Sequence, residues 1–513
     1  MNKTKYFWTA LKIFGSLGVV FSAVFLALAY GWLGIHDGPG IITQRPIPKE
    51  IISQRTAKQL NSANSVGQDG AQQILFGDLH AHTTLSFDAF IGSLPMMHGE
   101  GSRPLADACD FARFCSALDF WSINDHAEAS TPRRWSETVE SIQQCNAVGG
   151  NGQNPDTVAF LGWEWTQVGA TPETHYGHKN VIFRDIETKN VPSRPIHSGG
   201  IANTALRGLP LRNGPLLFAL DPNQRMLDFN LYLHELRQSE ECEKGKNVWD
   251  LPNNCRESAE TPSELFSKLD EWGFESMVIP HGTTWGFYTP PGSEFNKQLS
   301  GDLHDPDRQT LLEVFSGHGN SEEYRSFRAI EMNDAQQPIC PKPTENYLPS
   351  CHRAGQIIEE RCLEAGESQE ECSIRAATAR QDYVNVGTAG HYTVRGEKPE
   401  DWLDSGQCKD CYLPAFNYRP GGAAQYIMAL TNFDDPENPR RFRFGFMASS
   451  DIHSARPGTG YKEFSRRGMT ESVLGPVDEN AEKAFRFDDG APTARSDDIY
   501  LGETLMAARS DLN

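Results

Sequence analysis

Gly77-Asp78-Leu79-His80-Ala81-His82-Thr83, with Ser86 and Asp88 close behind, follows the apolar run Ile74-Leu75-Phe76. Residues 74–79 read as a short buried strand, so His80 and His82 fall where the chain leaves the sheet. Two residues apart on an extended backbone, their side chains point to the same side. Paired imidazoles at a strand end are poor core material and a good start on a metal site. Taken alone, they read equally well as surface histidines beside a turn.

Four later segments repeat the form, an apolar run ending in a metal-capable side chain. They are residues 118–126 (LDFWSINDH), 158–164 (VAFLGWE), 277–282 (MVIPHG) and 444–453 (FGFMASSDIH). Strand ends that bring Asp, Glu and His from distant points of one chain are the raw material of a barrel active site. Five such ends in one chain outweigh the reading as surface histidines.

The chain has 513 residues, enough for one large domain or two. A formal charge of -21 argues against a nucleic-acid groove. An anionic substrate stays open, because bound divalent ions reverse the local field. Residues 1–33 stand apart: the start is basic, and Phe14 to Leu33 carries no charge. That stretch reads as an uncleaved membrane anchor, as a signal peptide cut after Ala27-Leu28-Ala29, or as a buried helix. Either export reading places the body outside the cytoplasm, periplasmic in a bacterium or anchored to the inner membrane facing it.

Eleven cysteines suit an oxidising compartment. Short-loop pairing suggests Cys109/Cys115, Cys242/Cys255, Cys340/Cys351 and Cys362/Cys372, with Cys145 left over. Cys408 and Cys411 form a C-x-x-C that reads as a structural disulfide, with redox work or half a zinc site as alternatives.

In chain order, residues 34–72 are polar and read as a linker. A helical apolar pattern covers 101–117, and another covers 130–145 with Pro132 near its first turn. Pro262 to Trp272 is a third helix, stopped by Gly273. Residues 187–260 and 319–410 read as irregular insertions, the second a disulfide-tied lid or rim over the site. The catalytic body is expected to run to about residue 470, with a polar tail at 471–513.

The motifs Gly-Asp-Leu-His-Ala-His-Thr, Asn-Asp-His, Gly-Trp-Glu-Trp-Thr, His-Lys-Asn-Val-Ile-Phe, Pro-His-Gly and Ser-Ser-Asp-Ile-His occur in that order from Phe76 to Arg456. In this the chain resembles the PHP superfamily, the polymerase-and-histidinol-phosphatase metallohydrolases, and within it a large exported branch. The resemblance implies an α/β fold, a distorted (β/α)7 TIM-like barrel with large loop insertions and metals at the C-terminal strand ends. Strands read from the residues (74–79, 118–124, 158–163, 180–183, 276–280, 311–316 and 442–449) also number seven.

The resemblance implies one metal held by His80, His82, Glu164 and Asp451, with Glu164 bridging to a second held by His178 and His281. A third position would use Asp88, His126 and His453. Asp88 stands where many small phosphatases of the family have histidine, so these three are alternatively proton-transfer groups. His175 competes with His178 and is the less favoured of the two.

The chemistry asks for the same residue types. Two divalent ions about 4 Å apart need a bridging carboxylate among neutral imidazoles, and Glu164 is an acid at a strand end with histidines on both sides in sequence. Mixed His and carboxylate ligands suit Zn²⁺, Mn²⁺ or Fe²⁺ rather than Ca²⁺. The expected nucleophile is a metal-bridging hydroxide. Asn124 and Asp125 are expected to orient His126. Arg419, Arg456 and Lys462 are candidates for gripping a tetrahedral anion, and His318 for touching substrate. Trp163, Trp165, Trp285, Phe287 and Tyr288 either line an apolar leaving-group pocket or pack the rim. The catalytic candidates are therefore His126, Asp125, His453, Arg456 and Arg419. The expected function is hydrolysis of small phosphate or sulfate esters with two or three divalent ions. A sulfatase, and a non-catalytic metal-stabilised exported binding protein, are the alternatives.

Overall fold

The computed structural model describes residues 3–34, 38–67, 74–93, 103–150, 155–208, 224–285, 288–290, 292–316, 319–323, 325, 328–386, 390–397, 399–406 and 419–459. Helices α1 (Lys3–Ala29) and α2 (Lys49–Ser65) precede the first strand, β1 (Gly77–Ala81). Then come α3 (Phe87–Gly92), α4 (Leu105–Phe114), β2 (Phe120–Ile123), α5 (Pro132–Gly149) and β3 (Val158–Trp165). β1, β2 and β3 pair in parallel, with α4 and α5 in the crossovers. Local chemistry sets the ends of α5. The Thr131 hydroxyl caps its first turn by accepting from the Arg134 N–H, and Pro132 opens it where a missing N–H costs nothing.

The chain then reverses. Residues 166–178 contain no helix to carry a parallel crossover, and β4 (Lys179–Phe183) returns antiparallel to β3, with Glu164 opposite Asn180. The strand pair β5 (Ile196–His197) and β6 (Glu257–Ser258) lies between β4 and the helix α8 (Pro262–Trp272), together with α6 (Ile201–Gly208) and α7 (Gln224–Gln238). After α8, β7 (Ser276–Pro280) pairs antiparallel to β4 and completes a curled, open five-stranded sheet, in effect a half-barrel.

β8 (Leu311–Ser316) and β9 (Gly319–Asn320) form a second sheet with β12 (Gly445–Ala448). Between them lie β10 (Glu331–Met332), β11 (Pro338–Ile339), α9 (Ser350–Glu364), α10 (Gln369–Val386) and α11 (Ala424–Ala429). The segment after β12 closes on β1. The Asp451 N–H donates to the His80 carbonyl at 2.9 Å, and the His82 N–H to the Ile452 carbonyl at 2.9 Å.

All seven expected strands are therefore present, but the described strands form a half-barrel and a separate three-stranded sheet in place of a closed ring of seven. The core packs on the sheet, with Trp121, Leu161, Trp163, Val181, Phe183 and Val278 buried among Trp135 and Leu265 of α5 and α8.

Three observations describe the surroundings, and the last corrects an expected disulfide. Segment 34–72 carries α2 and lies on the body: Ile42 is buried in the core, and the Arg55 guanidinium donates to the Asp156 carbonyl at 2.8 Å. Both insertions contain helices, and in the second α9 and α10 pair as a hairpin. Its disulfides Cys340–Cys351 and Cys362–Cys372 are as expected, as is Cys242–Cys255. Cys109 instead pairs with Cys145, which joins α4 to α5, and Cys115 is exposed and has no disulfide among the described residues. Six residues along a helix span about 9 Å, beyond the reach of a disulfide. Proximity in sequence misleads there, because Cys109 and Cys115 sit at the middle and end of one helix. Cys408 and Cys411 lie outside the described residues, as do Phe287, His318, Lys462 and the segment 471–513.

Helix α7 is clamped to α5 by charge. Glu235 accepts from Arg133 Nη2 at 2.7 Å, from Arg134 Nη2 at 3.2 Å and from the Thr131 hydroxyl. Burial alone would raise its pKa, but Arg134 and then Arg133 outweigh burial and hold the carboxyl at about 2, against 4.5 ordinarily. The linked stability, on the order of 2–3 kcal/mol, is present above pH 4.5 and lost as pH falls toward 2. Glu235→Gln should therefore be less stable than wild type at neutral pH. That gap should close on acidification, as thermal melts across the range would show.

Candidate metal centre

His80 lies in β1 and His82 immediately after it, and their Nε2 atoms are 3.0 Å apart. Glu164 reaches them from β3. Its Oε2 is 3.3 Å from both ring nitrogens. Asp451 arrives from the segment after β12, with Oδ1 at 3.3 and 3.2 Å from His80 and His82. Its backbone is left-handed, at φ 48°, a costly conformation for a residue with a side chain. Asp78 holds that turn: its buried carboxylate accepts from the Ser450 N–H and hydroxyl, the Gly458 N–H and the His80 N–H.

The other Glu164 oxygen faces a second group. Oε1 lies 2.7 Å from His178 Nδ1 and 3.4 Å from His281 Nε2. His281 follows β7, and His178 precedes β4. Because β4 runs antiparallel, its ligand sits at the start of the strand, not at the C-terminal end, yet on the same rim. His281 is followed by Gly282 at φ 58°, where a Cβ would collide with the Tyr288 hydroxyl. Tyr288 stacks flat on His178, with ring centroids 4.0 Å apart.

His126 and His453 form a third group with His82. Asp88, on α3, joins them, its Oδ2 3.0 Å from His126 Nε2 and 2.9 Å from His453 Nε2. Among the described residues there are thus three overlapping His/Asp/Glu clusters able to hold two or three metal ions.

The donors fit a cation. Four ligands around a tetrahedral ion at 2.0–2.1 Å lie about 3.3 Å from each other, which matches the first group. The tautomers agree with this. His80 Nδ1 is 3.0 Å from Glu313 Oε2, an acceptor, so Nδ1 carries the proton and Nε2 keeps a lone pair facing inward. His82 Nδ1 meets the Ser86 hydroxyl at 2.9 Å, whose own proton goes to Asp125 Oδ1 at 2.6 Å. His82 Nε2 is thereby left as an inward acceptor too. His281 has both ring nitrogens buried without a hydrogen-bond partner, and His178 has its Nε2 so placed. Orphaned buried nitrogens of this kind call for a ligand.

Charge is concentrated here. Burial works to raise the pKa of Glu164, but His126, His281 and His178 overcome it and hold the carboxylate well below its usual range. Burial opposes a proton on His80, yet Asp451 and Glu313 outweigh it and drive its pKa well above normal. The pocket attracts positive charge.

The remaining candidates fall elsewhere. Asp125 lies one step behind the ligands, accepting from the Thr83 N–H and hydroxyl and from Ser86, and so shapes the loop under His82. His175 Nδ1 accepts from the Gly169 N–H at 3.2 Å, and the clusters contain His178 instead. Arg419, shortly before α11, is buried against the loop after β7, where its Nε donates to the Thr289 carbonyl at 3.0 Å. Arg456 acts with Arg103 on Asp107 of α4. Trp163 and Trp165 are core residues, packed against Trp135 and bonded to the Ala259 carbonyl respectively. Glu313 was missed by the sequence reading, although an acid inside the apolar run Leu-Leu-Glu-Val-Phe was a visible signal.

An α/β half-barrel that gathers overlapping metal-binding clusters on one rim defines a multinuclear centre of the kind typical of metal-dependent hydrolases. Comparison of the chain with family models, curated proteins and solved structures gave no match.

Proposed function

We propose that this chain is an exported, PHP-type metal-dependent hydrolase of phosphate or sulfate esters. The observation that carries this reading is Glu164, a buried carboxylate whose Oε2 faces His80 and His82, with Asp451 beside them, and whose Oε1 faces His178 and His281. His80, His82, Glu164 and Asp451 would hold one ion, and Glu164, His178 and His281 a second. Bound divalent ions, Zn²⁺ or Mn²⁺ first and Fe²⁺ next, supply Lewis-acid charge and a water acidic enough to react near neutral pH.

The chain's own residues do the rest. Glu313 and Ser86 fix the tautomers of His80 and His82. The imidazoles around Glu164 hold its carboxyl well below the usual range, so it keeps the negative charge that retains cations where a tetrahedral anion must bind. The side chains of Asp88 and His453 are 26% and 15% exposed, against 0–4% for His80, His82, Glu164 and Asp451. Substrate therefore enters on the Asp88 side, where His126, Asp88 and His453 orient the ester and hold a proton at its leaving oxygen.

The test is metal content by elemental mass spectrometry on protein purified without chelator, with paired assays on nitrophenyl phosphate and nitrophenyl sulfate. About two ions per chain, with hydrolysis of one ester that chelator abolishes and metal restores, is the expected result. It also decides between phosphate and sulfate. Metal-free protein with unchanged turnover would overturn the reading, and bound metal with no turnover of any ester would favour a binding protein.

A further inference from the structure

We infer that α1 is retained in the mature protein as a membrane anchor, and that its last turn is a packed part of the body facing the lipid interface. Helix α1 divides into two zones. Leu11 to Val24 is exposed throughout, and the apolar stretch Leu11–Ala29 has a mean hydropathy of 2.1. At 1.5 Å per residue its 19 residues span about 28 Å, close to a bilayer's hydrocarbon core. From Phe25 onward burial sets in, and Ala29 is fully covered.

The cover comes from α7. Gly31 sits at φ 71° against it, where a Cβ would lie 2.6 Å from the Asn230 carbonyl oxygen and 2.8 Å from the His234 Cβ. Gly31 also ends the helix in a Schellman motif, its N–H donating to the Leu28 carbonyl and the Trp32 N–H to the Ala27 carbonyl. Both the backbone conformation and the close approach require glycine at this position. Ala29, the last residue that cleavage there would remove, is itself fully covered, and a peptide destined for removal has no use for such cover.

The small residues Ala27 and Ala29, which a signal peptidase would need in extended form, are here the last helical turn. Directly beyond, Tyr30 and Trp32 stack at 5.5 Å, and Trp32 and Leu33 are 64% and 52% exposed. Aromatic side chains at the end of an apolar helix are what a headgroup layer accepts. Lys3, Lys5 and Lys12 at the other end set the orientation, with the body on the opposite side from the basic terminus. The coupling reaches further inward: the other side of α7 packs Phe229 and Tyr232 on Phe90 of α3, the helix that bears Asp88.

The test is expression of the full chain with a C-terminal tag in a secreting bacterial host, followed by intact mass measurement and alkaline carbonate extraction of membranes. The expected result is a chain that retains residues 1–29 and stays in the carbonate-washed pellet. A mature N-terminus at Tyr30, or release by carbonate, would overturn the inference. Ala29→Phe in detergent-purified protein checks the packing, because Ala29 is fully covered and its backbone is ordinary helix. It should lower Tm by several degrees, and an unchanged Tm would show that the last turn does not pack on α7.

Discussion

Glu164→Gln should cost at least one metal ion per chain and reduce ester hydrolysis by about a thousandfold or more. The amide keeps the shape and one oxygen but replaces the other by an NH₂ group, which has no lone pair to give. Because the two carboxylate oxygens face different histidine groups, any placement of the amide removes one of them. The substitution also removes one negative charge from a site only 1% exposed, and with it attraction for the cations the site would hold. Glu164→Asp should fall between, since the shorter side chain reaches one group at a time. Circular dichroism and elemental analysis separate these effects from misfolding. Full metal content and full turnover in the Gln variant would rule out the bridging role.

The second large effect is expected at Glu313, which meets His80 at Nδ1, the ring nitrogen turned away from the clusters. Removal of a carboxylate that orients a metal-binding histidine costs about 10–100-fold in metal affinity. Glu313→Ala should lose that much, measured by competition with a chromophoric chelator, because His80 can then place its proton on Nε2 and turn away its lone pair. Glu313→Gln should recover most of it, since the amide oxygen accepts the same Nδ1–H bond. A merely structural role predicts a different pattern, in which both variants lower Tm and leave the affinity of the folded fraction unchanged.

The strands and the residues at their ends were legible in the sequence because each depends on local pattern. Apolar runs of strand length, Pro132 and Pro262 at helix starts, Gly273 at a helix end and the two-residue spacing of His80 and His82 all report on their own neighbourhoods. The reversed direction of β4 was not legible, since a short loop without a helix signals an antiparallel return only once its partner strand is known. Cys109 with Cys145 was missed for a related reason: the pairing follows the packing of α4 on α5, and sequence separation says nothing about it. Nor did polarity reveal that segment 34–72 lies on the body, because Ile42 and Arg55 make their contacts with residues more than sixty positions away.

What the sequence by itself determined was the chemical inventory: an apolar anchor-length helix, seven strands, and acids and imidazoles delivered at their ends. Only the tertiary structure decided which nitrogen and oxygen atoms meet, that Glu164 divides its oxygens between two groups, and that Glu313 stands behind His80. Periodicity along a chain records which side of an element is buried. Convergence at one rim depends on strand direction, sheet curvature and the close approach of elements hundreds of residues apart, and no local pattern encodes those.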